Sequence, residues 1–180
     1  TTLFRSESNE KNRRVYEVLI TITGIPKNLV HLNGIDNLAE FVLHDLCQKK
    51  CFNVSKAALF IDNPDFDQFQ GVAGFSIVES YQPKNNHWHE PQQFSHHMKK
   101  ADFNNKVREV CRCSIKRNSH SEREVVQQLS EELQFSNPQY MLWPVKYDNH
   151  GLLMFEKAEQ DGTEDHLENA LHLFGFCPIF

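Results

Sequence analysis

The sequence predicts an α+β fold made of two β-α-β-β halves. Period-two alternation of apolar and polar residues marks strands in each half, and one helix-length stretch in each half repeats its apolar residues every three or four positions. Hairpins in mixed order exclude a doubly wound parallel sheet. A substantial core is available from 180 residues with 39% apolar content and 14 phenylalanines, since aromatic side chains bury the most area each.

The first dozen residues are polar and expected to fray. Residues 13–23 (RRVYEVLITIT) alternate and are β-branched, so they read as a strand ending at Gly24-Ile25-Pro26. Residues 35–50 place Leu38, Phe41, Val42 and Cys47 at helical spacing behind Asp36, a capping residue. Strands are expected at 55–62 (SKAALFID) and 71–81 (GVAGFSIVESY), separated by an Asn63-Pro64-Asp65 turn. The stretch 82–102 holds Pro83, Pro91 and four histidines and reads as a connector with at most a short helix.

The pattern then repeats. Residues 105–116 (NKVREVCRCSIK) read as a strand, and 121–133 as a helix with a Ser121/Glu124 capping box. Residues 139–147 and 152–157 read as a hairpin around Asp148-Asn149-His150-Gly151, and 164–173 as an acidic helix. The expected organisation is an N-terminal ferredoxin-like domain (1–82), a polar His-rich connector (83–103) and a related second half (104–180). The halves would form two ferredoxin-like layers or one combined sheet with helices on one face.

The net charge of −5 argues against a nucleic-acid partner, but the charge is segregated. Residues 1–98 sum to −2, residues 99–123 to +5 and residues 124–180 to −8. A local field, not the average, governs polyanion binding; a solvated strand edge decorated with Lys and Arg is the alternative. No run approaches about 20 apolar residues, so no membrane span is expected. Five cysteines and no leader read as reduced thiols in a cytoplasm, packed or on the surface, because neither Cys47/Cys51 nor Cys111/Cys113 has the spacing of a zinc knuckle.

P-loop, dinucleotide and zinc-protease motifs are absent, and no cofactor or metal is assigned. His87, His89, His96 and His97 lie in a polar, proline-flanked stretch and read as solvated, with metal binding or phosphate contact as the alternatives. His44, inside the first helix, reads as a packed residue or as a positioned imidazole able to move protons. On the strand 107–117, Arg108, Arg112, Ser114 and Lys116 share one face, and Val107, Cys111, Cys113 and Ile115 share the core face. Arg112 and Ser114 could read base edges, while Lys99, Lys100, Lys106, Lys116 and Arg117 would bind phosphates.

Three passages carry a resemblance: 110–123 (VCRCSIKRNSHSER), 140–155 (YMLWPVKYDNHGLLMF) and 173–180 (LFGFCPIF). In that order they resemble the strand-to-helix passage, late hairpin and glycine-containing tail of the CRISPR repeat-RNA endoribonucleases of subtype I-F. The resemblance covers roughly the last 75 residues; the N-terminal half is similar only in element order. It implies metal-independent cleavage at the base of a repeat-RNA stem-loop, a ribose 2′-OH attacking its own 3′ phosphate. It further implies His44 as the base, Arg112 as a base reader, and retention of the product in a surveillance complex with other CRISPR effector subunits as partners. Two positions depart from the family pattern. Ser114 stands where an amide side chain is usual, and Tyr147 is the only hydroxyl near the place of the hairpin serine. The groove-entering helix, arginine-rich in that family, holds one Arg and four Glu in 121–133. A non-catalytic RNA- or protein-binding subunit on the same fold is the alternative; an unrelated α+β domain using its histidines for metal is a third.

Overall fold

The structure is a computed structural model that describes residues 2–32, 34–82, 86–118, 121–157 and 164–178, with side chains from residue 12 onward except 164 and 165. The fold is α+β, as expected, with a single five-stranded antiparallel sheet and six α-helices among the described residues. In chain order these are α1 (Thr2–His31), α2 (Leu38–Cys47), β1 (Val54–Asn63), β2 (Gln68–Ser76), α3 (Pro91–Met98), α4 (Asp102–Glu109), β3 (Cys111–Arg112), α5 (Glu122–Glu132), β4 (Gln139–Pro144), β5 (His150–Lys157) and α6 (Glu164–Leu171). The strand order is β3-β2-β1-β5-β4, so strands from both sides of the 83–103 connector pair directly in one sheet. No helix among the described residues is long and apolar enough to cross a membrane.

Helices cover both faces of the sheet rather than one. On one face Ala57, Leu59, Ala73, Phe75, Leu153 and Phe155 pack with residues of α1, α2, α3 and α6. On the other, Ala58, Phe60, Phe69, Leu152 and Met154 pack with residues of α4 and α5. The alternation along β1 and β5 follows from the period-two geometry of a strand buried on both sides. A bulge in the β1–β2 pairing leaves Val72 without an opposite residue, since Leu59 pairs with Ala73 and Phe60 with Gly71.

Two expected strands are helices. Residues 13–23, and the polar residues before them, belong to α1. The stretch carries a second pattern beneath its alternation: Val18, Ile25 and Leu29 are buried and Ile22 packs beside them, a helical stripe. The threonine hydroxyls, which would favour a strand, are absorbed locally: Thr21 donates to the Glu17 carbonyl at 3.0 Å and Thr23 to the Leu19 carbonyl at 2.8 Å. Packing on the core outweighs β-propensity, which is a weak, context-dependent term.

Residues 105–116 likewise divide between α4, the two-residue β3 and a loop. Phe103 and Val107, four apart, face the core, with Asn104 between the helix and β2. Because β3 pairs only with Phe69 and Gln70, most of the outer edge of β2 lacks a strand partner. α4 closes that edge with other groups: the Val110 carbonyl accepts from the Gly71 N–H at 2.9 Å, and Asn104 Oδ1 from the Gly74 N–H at 2.8 Å. Asn104 Nδ2 then donates to Glu40 Oε1 on α2 and to the Met98 carbonyl, both at 2.9 Å.

After α4 the elements run β3-α5-β4-β5, and the 139–157 hairpin forms, with its turn earlier than the expected 148–151 because His150 and Gly151 already pair on β5. Its turn is centred on Tyr147 and Asp148, both with left-handed φ (60° and 57°), as a type I′ turn requires. Ser121 precedes α5 but its side chain makes no capping hydrogen bond.

The loop after β3 is held by two carboxylates. Asp62 accepts from the Ile115 N–H (3.2 Å) and the Lys116 N–H (3.0 Å); Asp67 accepts from the Ser114 N–H at 3.0 Å. Replacing Asp62 with Ala strands two amides, and urea denaturation is expected to register a loss of about 2 kcal/mol. Asp62→Asn, which keeps one acceptor, should recover part of it. Equal stability of Asp62→Ala and wild type would contradict this anchoring role.

Candidate functional site

All ten residues of α2 are buried, including Glu40, His44 and Asp45. A helix buried all round must satisfy its polar groups internally. Glu40 does so through Asn104 and the Arg108 guanidinium at 3.1 Å. His44 and Asp45 instead converge on His87, which a short 3-10 turn (His87–His89) carries inward. Asn86 caps that turn by accepting from the Trp88 N–H at 3.1 Å.

The ligating atoms of His44, Asp45 and His87 all lie within 4.8 Å of one another. The Trp88 indole donates to Asp45 Oδ2 at 2.7 Å, which orients the carboxylate and leaves Oδ1 without a hydrogen bond among the described residues. Oδ1 lies 3.5 Å from His87 Nε2, and neither atom has a hydrogen-bond partner among the described residues. Aromatic rings enclose the group: His44 lies 5.7 Å from Phe75 and 5.1 Å from Phe94, and His87 lies 5.8 Å from Phe41. The amide of Gln48 meets the His44 ring at 3.2 Å, and the Lys50 ammonium is 3.9 Å from Asp45 Oδ1.

Burial dominates the electrostatics. It pushes His44 down to about 3, with His87 as the second cause, and His87 down to about 4, with Lys50 adding to the effect. Burial also raises Asp45, opposed by the Trp88 hydrogen bond and Lys50. Both imidazoles are therefore neutral near pH 7, the form that ligates metals or accepts protons. The sequence singles out His44 and His87 separately but reads His87 as solvated; the partner it misses is Asp45. The usable signal is Trp88 beside His87, an aromatic inside an otherwise polar stretch. His89 and His96 are exposed, as expected, and His97 is half-buried with its ring 2.7 Å from the Glu79 carbonyl oxygen.

The proposed RNA-contacting residues do not share a strand face. Lys106 and Arg108 lie on α4, Arg112 on β3, and Ser114, Lys116 and Arg117 in the following loop. Ser114 is fully buried, its hydroxyl accepting from the Arg117 N–H at 3.1 Å, so its side chain does not project outward. Cys111 and Cys113 are exposed rather than core-facing, because Asp62 and Asp67 turn Ser114 and Ile115 inward instead. Arg108 is held by Glu40, and Arg112 by Glu132 and by Gln128 at 3.0 Å. Lys99, Lys100, Lys106, Lys116 and Arg117 are exposed and have no ion pair among the described residues. Tyr147 is 80% exposed in the hairpin turn and is not among the rings that pack on His44. Two residues of each of the segments 110–123 and 173–180, at 119–120 and 179–180, lie outside the described residues.

A second concavity of about 300 Å³ opens between the 115–116 loop and the β4–β5 hairpin, lined by Asp62, Lys116, Glu122, Leu142 and His150 among others. Both Asp62 oxygens are committed to backbone amides, whereas His150 Nδ1 is buried with no hydrogen-bond partner among the described residues. No family model, no curated protein and no solved structure matches this chain.

Proposed function

We propose that this chain binds structured RNA as a non-catalytic subunit of a CRISPR effector complex. The observation that carries this reading is the set of exposed cations without ion pairs between Lys99 and Arg117, in the one segment where positive charge exceeds negative. Five such groups supply phosphate contacts with a steep salt dependence. On this reading the β3-α5-β4-β5 order stands for the ferredoxin-like second half of the repeat-RNA endoribonucleases that the C-terminal passages resemble. The N-terminal half would keep the helix and hairpin of such a unit without its first strand, because α1 occupies that segment.

The binding form is favoured over the cleaving form by the position of His44. A general base must reach the proton it removes within about 3 Å. His44 is 3% exposed behind Phe75, Phe94 and His87, and Tyr147 is not beside it. Arg112, tied to α5 by Glu132 and Gln128, is not free to read a base edge in this arrangement.

Fluorescence anisotropy with a repeat-type RNA stem-loop in EDTA tests the reading. Binding without cleavage is expected, and the double variant Lys116→Ala/Arg117→Ala should lower affinity on all RNAs and reduce the slope of log K against log salt by about 2. Arg112→Ala should leave affinity unchanged. Absence of binding at 50 mM salt would overturn the RNA reading. A defined cut in EDTA, lost in His44→Ala, would restore the endoribonuclease and overturn the non-catalytic form.

A further inference from the structure

The geometry points to a buried metal site: we propose that His44, Asp45 and His87 bind one divalent first-row transition ion, zinc by donor chemistry. This goes beyond the RNA reading and does not depend on it. Two imidazoles and one carboxylate make the N2O donor set of many zinc and iron(II) sites. Three features of the cluster are what such a site needs and what a purely structural trio would lack.

The first is the pair of orphaned atoms. Asp45 Oδ1 and His87 Nε2 are buried, lie 3.5 Å apart and have no hydrogen-bond partner among the described residues, although one is a strong acceptor and the other a ring nitrogen able to donate or ligate. Buried polar atoms are nearly always satisfied, so two unsatisfied ones 3.5 Å apart mark a missing partner. A cation there satisfies both at once. A neutral Nε2–H tautomer of His87 would also pair them, but the 3.5 Å contact does not meet hydrogen-bond geometry.

The second feature is the outer support. Ligating carboxylates are themselves oriented by hydrogen bonds, and Trp88 holds Asp45 Oδ2 so that Oδ1 turns toward the histidines. Gln48 Nε2 lies almost equally far from both ring nitrogens of His44, 3.3 Å from Nδ1 and 3.2 Å from Nε2, so it lines the site without choosing between them.

The third is charge. Asp45 is a carboxylate with 4% exposure, and among the described residues the lysine or arginine within 4 Å of it is Lys50, 3.9 Å away on a side chain 59% exposed. A divalent ion between the three side chains would neutralise the carboxylate far more closely. The ion would lock α2 to the turn that carries Trp88, and so to α3, which follows it directly.

Cobalt(II) is the probe, because its d–d absorption reports bound ligands directly. Chain purified without chelator is expected to carry close to one equivalent of zinc by mass spectrometry. After dialysis against EDTA, titrated cobalt(II) should give visible bands that saturate at one equivalent and disappear on adding zinc. His87→Ala should abolish the bands, while Trp88→Phe should weaken affinity by about 10- to 100-fold. His89→Ala and His96→Ala, which change exposed histidines of the same stretch, should leave the titration unchanged. Wild-type titration needs no variant to fold, and absence of saturable bands in it overturns the proposal. Bands that survive His87→Ala but vanish in His89→Ala or His96→Ala would overturn it equally, moving the metal to the surface.

Discussion

Lowering the pH from 7 to 5 in EDTA is expected to reduce the unfolding free energy by about 3 kcal/mol, with two histidines responsible for most of it. In the folded chain His44 is pushed down to about 3 and His87 to about 4, while in the unfolded chain both titrate near their ordinary value of 6.5. Below pH 6.5 the unfolded state therefore binds more protons than the folded state. The stability linked to these groups is fully present above that pH and falls as pH decreases, until the folded values are passed. Each contributes up to about 1.4 kcal/mol per pH unit in that window. Asp45 acts in the opposite sense. Its folded pKa is raised by burial, so the folded state takes up this proton first and part of the loss is offset at the acid end. Urea denaturation at pH 7, 6, 5.5 and 5 measures the slope. In His87→Gln the slope should fall by roughly half whatever that variant's absolute stability. A slope that does not change would mean that His87 is not the buried neutral imidazole described here.

The same histidines show where the sequence is legible and where it is not. Strands β1 and β5, the β4–β5 hairpin, α2, α5 and α6 are readable because each carries one dominant period or a turn signature. Residues 13–23 and 105–116 carry two periods at once. RRVYEVLITIT alternates, yet Val18, Ile22 and Ile25 also form a helical stripe, and only the presence of α2 beneath them decides. NKVREVCRCSIK alternates too, yet Phe103 and Val107 are four apart, and the deciding surface is the glycine-bearing strand β2. The site divides the same way. His44 is conspicuous as a polar residue among Leu43, Leu46 and Phe41. Its convergence with His87, 43 positions away, depends on how the connector folds back, which no local pattern encodes. Trp88 is the residue that makes this fold-back intelligible, since its indole needs a buried acceptor and finds Asp45.

Gly71→Ala is expected to be among the most damaging single substitutions in the chain, at about 3 kcal/mol or more. A Cβ at position 71 would stand 1.7 Å from the Val107 carbonyl oxygen and 2.6 Å from its carbonyl carbon. Those are backbone atoms of α4, so no rotamer change relieves the overlap; the helix itself must lift. Lifting α4 also pulls on the Gly71–Val110 hydrogen bond and on Asn104, which holds the Gly74 N–H on one side and Glu40 on the other. Gly24→Ala supplies the control within the same method. Gly24 lies inside α1 with nothing within 4 Å of an added Cβ, so this change should stabilise the chain by about 0.5–1 kcal/mol. The pair tests both places where helix and strand periods compete. If 105–116 were a strand beside β2, side chains would alternate across the sheet and a methyl at 71 would be tolerated. If 13–23 were a strand ending at Gly24, the alanine there would bring no helical gain. Opposite signs of the two effects in urea midpoints support the helical assignment of both segments. A neutral Gly71→Ala would return 105–116 to a strand and free Arg108 and Arg112 to share a face.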